Sequence, residues 1–151
     1  MKSTHRFLAA TLLSAVCTVS AWAGASRDDA VAQVNAAIGH IKKVGAEQAV
    51  KDVNTAPQWK VNGMNVIINH MKGDVLASSL NDKLVGKNTL ESKDPSGKAF
   101  VKDFVATAQK GEGWVDYQFI NPASKKLEER SMFVKKAPGM DGFVGVAITK
   151  E

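Results

Sequence analysis

Cysteine is all but missing: the 151 residues contain one, Cys17, inside the opening stretch. Long apolar runs are missing too. A membrane-spanning helix needs about 20 uninterrupted apolar residues, whereas the run from Phe7 to Val19 is shorter and is broken by Thr11, Ser14 and Thr18, and nothing after Ala23 approaches that length. Lys2 and Arg6 stand ahead of this run, and Ala21-Trp22-Ala23 follows it with small residues at the two positions a signal peptidase reads. The pattern predicts a secretory signal over residues 1–23, cleaved near Ala23. A lipid anchor at Cys17 is disfavoured, because Ser14-Ala15-Val16 lacks the leucine and the small residue such sites carry. Removing residues 1–23 from the 151 leaves 128, one domain with one core. It also removes Cys17, which excludes a disulfide, a thiol nucleophile and a thiolate metal ligand from the mature chain. Stability then rests on packing.

Net charge is small as well, with 20 Lys and Arg set against 15 Asp and Glu. With Lys2 and Arg6 gone the formal charge falls from +5 to +3. The lysines are scattered, as in Lys42-Lys43, Lys125-Lys126 and Lys135-Lys136, with no basic stripe interleaved with aromatics, so nucleic acid is not an expected partner. Histidine is equally sparse: His40 and His70 have no His, Cys or carboxylate at ligand spacing, so neither a metal nor another cofactor is expected. Ser78, Ser79 and Ser131 lack a nucleophile-elbow pattern. The acidic pair Asp28-Asp29 is explained by a helix N-terminus, where the dipole favours negative charge. No catalytic constellation is visible, and an enzyme is not expected.

What is present is periodicity. Ser26 and Asp29 form a capping box, and Val31, Val34, Ile38 and Ile41 follow at three-to-four-residue spacing, which predicts a helix over 27–44 ended by Gly45. Ala46, Ala49, Val50 and Val53 continue into a second, short helix that stops before Pro57. The pattern then changes to short apolar runs, 64–69 and 74–79, flanking the turn His70-Met71-Lys72-Gly73, which predicts a hairpin. Residues 79–92 are mostly polar and predict a long surface loop. Asp94-Pro95 offers an N-cap and a first helical residue for a third helix, whose apolar face is Phe100, Val101, Phe104, Val105 and Ala108. Three strands follow, 113–120, 127–136 and 143–149, separated by Asn121-Pro122-Ala123-Ser124 and by residues 138–142, both strong turn signals. The order predicts an α+β fold of the PAS type: a five-stranded antiparallel sheet, a long N-terminal helix, a second short helix, and one helix between strands two and three.

Several segments, in order and spacing, resemble the single Cache domains of type 2, extracytoplasmic small-molecule sensing modules. They are Asp74-Val75-Leu76-Ala77-Ser78-Ser79, Leu84-Val85-Gly86-Lys87-Asn88, Lys93-Asp94-Pro95-Ser96-Gly97-Lys98, Gly111-Glu112-Gly113-Trp114-Val115-Asp116-Tyr117, Asn121-Pro122, and Phe143-Val144-Gly145-Val146-Ala147-Ile148. The resemblance implies a ligand-binding domain over residues 24–151. Family members usually hold this domain between two membrane-spanning helices, while this sequence ends at Glu151 after the last predicted strand; the expectation is a stand-alone domain, soluble in the periplasm or outside the cell and not inserted in a membrane after processing. The sequence departs from the family at Ser78 and Ser79, where a histidine and a proline are usual, at Asn65, where an aromatic opens the first strand, and at His70 and Lys72, where the hairpin turn is usually acidic. These departures bear on ligand preference rather than on fold.

Arg130 is in register with a basic residue of similar proteins, and alternates with Met132 and Val134. A buried guanidinium needs a partner and fits a carboxylate, so Arg130 is expected to clamp a small organic acid; pairing with Glu128 or Glu129, or snorkelling to solvent, is the alternative. Tyr117 is expected either as a pocket wall or as core with one hydrogen bond. Ser78 either donates to a ligand oxygen or caps its strand. Asn65 faces the pocket or water, and Met132 completes the set on the face of Arg130. The expected function is small-molecule binding, of a short carboxylate, with occupancy passed to a membrane receptor or transporter. The alternative is a ligand-free protein-interaction domain, dimerising through the first helix.

Overall fold

The computed structural model describes residues 24–150, so the predicted export signal lies outside the described residues. Helix α1, Arg27–Val44, begins where local chemistry dictates. The Ser26 hydroxyl accepts the Asp29 N–H at 3.1 Å and the Asp29 carboxylate accepts the Ser26 N–H at 2.8 Å. The helix buries Ala30, Val34, Ala37, Ile38 and Ile41 and ends at Gly45, whose φ of 84° turns the chain into helix α2, Ala46–Thr55. No helix among the described residues is long and apolar enough to cross a membrane.

Five strands form one antiparallel sheet: β1 Val66–His70, β2 Val75–Ser78, β3 Glu112–Ile120, β4 Leu127–Lys136 and β5 Gly142–Thr149, in the order β2-β1-β5-β4-β3. Alternation along each strand makes two cores, one per face. Val66, Ile68, Phe133, Val144, Val146 and Ile148 pack under α1 and α2. Val115, Tyr117, Met132, Val134 and Phe143 pack under helix α3, Phe100–Gln109, against Val101, Phe104, Val105 and Ala108. Each fully buried Val, Ile or Phe side chain contributes about 1.5–3 kcal/mol. The central strand β5 is covered on both faces, hence its unbroken apolar run from Phe143 to Ile148.

The predicted order of elements and the five-stranded PAS-like sheet are present. Boundaries shift in the first hairpin, where β1 starts at Val66 rather than at 64 and takes in His70, and β2 is Val75–Ser78 rather than 74–79; the largest difference is at the third helix. Helix α3 starts at Phe100, with Ala99 as its cap, rather than at Pro95. The Asp94 carboxylate instead accepts the N–H groups of Ser96 and Lys98, both at 2.9 Å, and of Gln118 at 3.0 Å, while Gly97 at φ 87° takes the chain out of helical progression. The segment is thereby fastened to β3, whose Asp116 carbonyl also accepts a hydrogen bond from Lys98 Nζ at 2.6 Å. At the opposite edge Asn54 of α2 donates to the Leu76 carbonyl and accepts the Ser78 N–H, and the 79–92 loop folds back so that Lys87 accepts the Val75 N–H at 2.9 Å.

Candidate functional site

Helix α3 covers only part of its face of the sheet. Beyond it the ends of β3, β4 and β5 face the loop that leaves β2, and between them lies an open cleft of about 1260 Å³. Its sheet wall carries Phe119, Arg130, Ala147 and Thr149; Asn65 and residues 80–83 form the opposite side, and Arg27 and Lys150 stand at the rim.

Arg130 is the group on the wall best suited to hold an anion. It pairs with Tyr117 of β3 and Thr149 of β5, two residues from Met132, so its side chain leaves the sheet where the apolar cover ends. Its guanidinium carbon lies 4.2 Å from the Phe119 ring centre, a cation–π arrangement. Nε and Nη2 both donate to Glu128 Oε2, at 3.0 and 2.8 Å. Glu128, two residues earlier on the same strand, shares the face by alternation. Its other oxygen accepts from Asn121 Nδ2 at 2.7 Å. The Asn121 hydrogen bond first, and Arg130 second, hold the Glu128 carboxyl below the usual carboxylate range. Asn121 in turn accepts the N–H groups of Ala123 and Ser124 at 2.9 and 3.2 Å, which knits the β3–β4 turn.

The other residues singled out from the sequence fall into two groups. Asn65 lines the cleft, yet its amide is engaged: Nδ2 donates to Ser78 Oγ at 3.0 Å, and Oδ1 accepts the Leu80 N–H at 3.0 Å. Ser78 is buried, and with Ser79, whose Oγ accepts the Val66 N–H at 2.9 Å, it fixes the exit of the chain from β2. Tyr117 is buried beneath Arg130, stacked on Phe100 with ring centres 4.9 Å apart and edge-on to Phe104. Burial pushes its phenol up, and the nearby guanidinium offsets part of that. Met132 does not line the cleft but is buried in the core under α3, where the absence of a side chain at Gly145 leaves room for its sulfur. Arg130 and Asn65 thus share the cleft, Ser78 stands behind Asn65, and Tyr117 and Met132 support Arg130 from within the core.

Phe119, Asn121 and Thr149 were not singled out. Alternation with Tyr117 was the signal for Phe119. Among the described residues there is no group of three or more His, Cys, Asp or Glu placed to hold a metal ion; His40 is taken by Asp52 at 2.6 Å.

A sequence model described as the Cache domain matches residues 29–151. The crystal structure of a methyl-accepting chemotaxis protein from Vibrio parahaemolyticus superposes with a TM-score of 0.69 at 16% identity, over 81% of this chain and 86% of that one. A Cache chemosensory domain, reported for carboxylic acid recognition, gives 0.65 at 20% identity, over 82% and 92%. A periplasmic sensor domain of a chemotaxis protein gives 0.63 at 20%, over 82% and 90%. At these identities the likeness is one of fold. No curated protein matches the sequence.

Proposed function

The chain belongs to the Cache domain family, and from that premise we propose that it is an extracytoplasmic binding module for a short organic acid, held in the cleft at Arg130. The observation that carries the reading is the environment of Arg130. A guanidinium only partly exposed, poised over Phe119 at a cleft wall and already gripping a carboxylate through two hydrogen bonds, is a site whose chemistry selects carboxylates. The structurally similar Cache domain associated with carboxylic acids supports the same class. Residues 1–23 act in this proposal as the export signal, and binding is passed on by docking to a membrane receptor or transporter, since ligand occupancy shifts a conformational population only where the partner reads the difference. The family is one of sensors rather than catalysts, and no reaction is proposed.

Calorimetry with acetate, pyruvate and succinate on the wild type and on Arg130→Ala tests the assignment. We expect heat from at least one acid in the wild type and a loss of about tenfold or more in affinity in the variant, the scale of one charge-assisted hydrogen bond. Equal heats from the two proteins would sink it. One observation favours a second reading, in which the domain binds a protein instead: Glu128 already fills one edge of the Arg130 fork, as a purely structural ion pair would.

A further inference from the structure

We propose that Glu128 is an internal competitor for the ligand, so that binding at Arg130 exchanges one carboxylate for another. The inference rests on the carboxylate reading above and adds to it a residue that sets affinity and reports occupancy.

Glu128 and Arg130 lie two residues apart on one face of β4, so the strand delivers a carboxylate to the guanidinium whatever else is in the cleft. The contact is two-pronged, Nε and Nη2 on one oxygen, and uses an edge of the fork that an incoming carboxylate would also use. Exchange leaves no stranded charge. Arg130 trades one anion for another, and Glu128, with its side chain about 20% exposed and set against the polar β3–β4 turn, has water within reach. If the Glu128 carboxylate swings out to water as it leaves Arg130, its other oxygen, Oε1, is drawn off Asn121 Nδ2, the residue whose Oδ1 holds Ala123 and Ser124. That movement transmits occupancy of the cleft to the turn that protrudes beside it.

An internal competitor lowers apparent affinity by the fraction of molecules in which Arg130 is available. Neutralising it raises that fraction. Glu128→Gln keeps the size and the bond to Asn121 while weakening the hold on Arg130, and we expect acetate, pyruvate or succinate to bind it at least tenfold more tightly than the wild type. Glu128→Asp, too short to reach both Nε and Nη2, serves if the first variant fails to give a cooperative melt, with the same direction expected. In the wild type, amide exchange at Ala123 and Ser124 should quicken when the acid is added. Equal affinities in wild type and both variants, with binding still lost in Arg130→Ala, overturn the exchange and leave the carboxylate site standing. Binding indifferent to Arg130→Ala, or no binding of any acid by any of these proteins, overturns the site and the exchange together.

Discussion

Gly73 turns the chain at φ 92° beneath the loop that leaves β2. A Cβ at this position would lie 2.5 Å from Leu90 Cβ and 2.8 Å from Leu90 N. Backbone is in the way, so nothing nearby yields cheaply, and the positive φ adds strain for any L side chain. Gly73→Ala is expected to destabilise by about 2–3 kcal/mol in urea unfolding; an unchanged midpoint would contradict the geometry. Gly97 has a similar φ of 87° with open space around it, so its alanine variant should cost visibly less. At this scale the sequence was partly legible. Alternation with Met132 and Val134 placed Arg130 on its face, and the rule that a buried cation needs an anion required a partner. Parity singles out Glu128, since Glu129 points the other way and accepts from Gln118 Nε2 at 2.8 Å. The engagement of Asn65 with Ser78 and Ser79 was not legible, because it depends on the pairing of β1 with β2 across a bulge at Ile68 and Asn69.

Elements whose ends are decided locally were readable, and those decided at a distance were not. The capping box of α1 uses two neighbouring residues, and its predicted span of 27–44 is the observed one. Asp94-Pro95 carries an equally good local signal for a helix start, but β3 outbids it: the Gln118 N–H, 24 residues away, needs an acceptor at the sheet edge and Asp94 supplies it. The segment therefore closes a turn and α3 begins later. The Ser96 hydroxyl first, and the Gln118 N–H second, lower the Asp94 carboxyl from its ordinary 3.8 to about 2. A carboxyl depressed in the folded state stabilises that state above its unfolded value, and the contribution fades as pH falls from about 4 towards 2. Acid titration of stability should therefore be steeper in this window for the wild type than for Asp94→Asn. Parallel acid limbs would show that the tether to β3 does not depend on the charge.

For the whole molecule, the number and direction of strands followed from turns, whereas their order did not. The last strand, β5, inserts between β1 and β4, and such a pairing across more than seventy residues leaves no local mark except its two-sided apolar run. That insertion joins the first hairpin to the β3–β4 ribbon and so brings Asn65 and Arg130 to one cleft. A ligand held there stabilises the entire domain by mass action. An acid present at one hundred times its dissociation constant adds about 2.7 kcal/mol, a rise of roughly 10 °C in melting temperature for a domain of this size. A scan in which no acid shifts the melt would favour the protein-interaction reading. The covering of both sheet margins has a consequence for that reading too. With Asn54 and the returning loop on β2, and Asp94 and Lys98 on the middle of β3, a visiting strand finds the backbone groups at mid-edge already spoken for. Edge-to-edge pairing of neighbouring copies is thereby opposed at mid-strand, and under the proposed function a receptor would have to recognise the domain by shape and side chain, on a helix face or at the β3–β4 turn, rather than by lending it a strand.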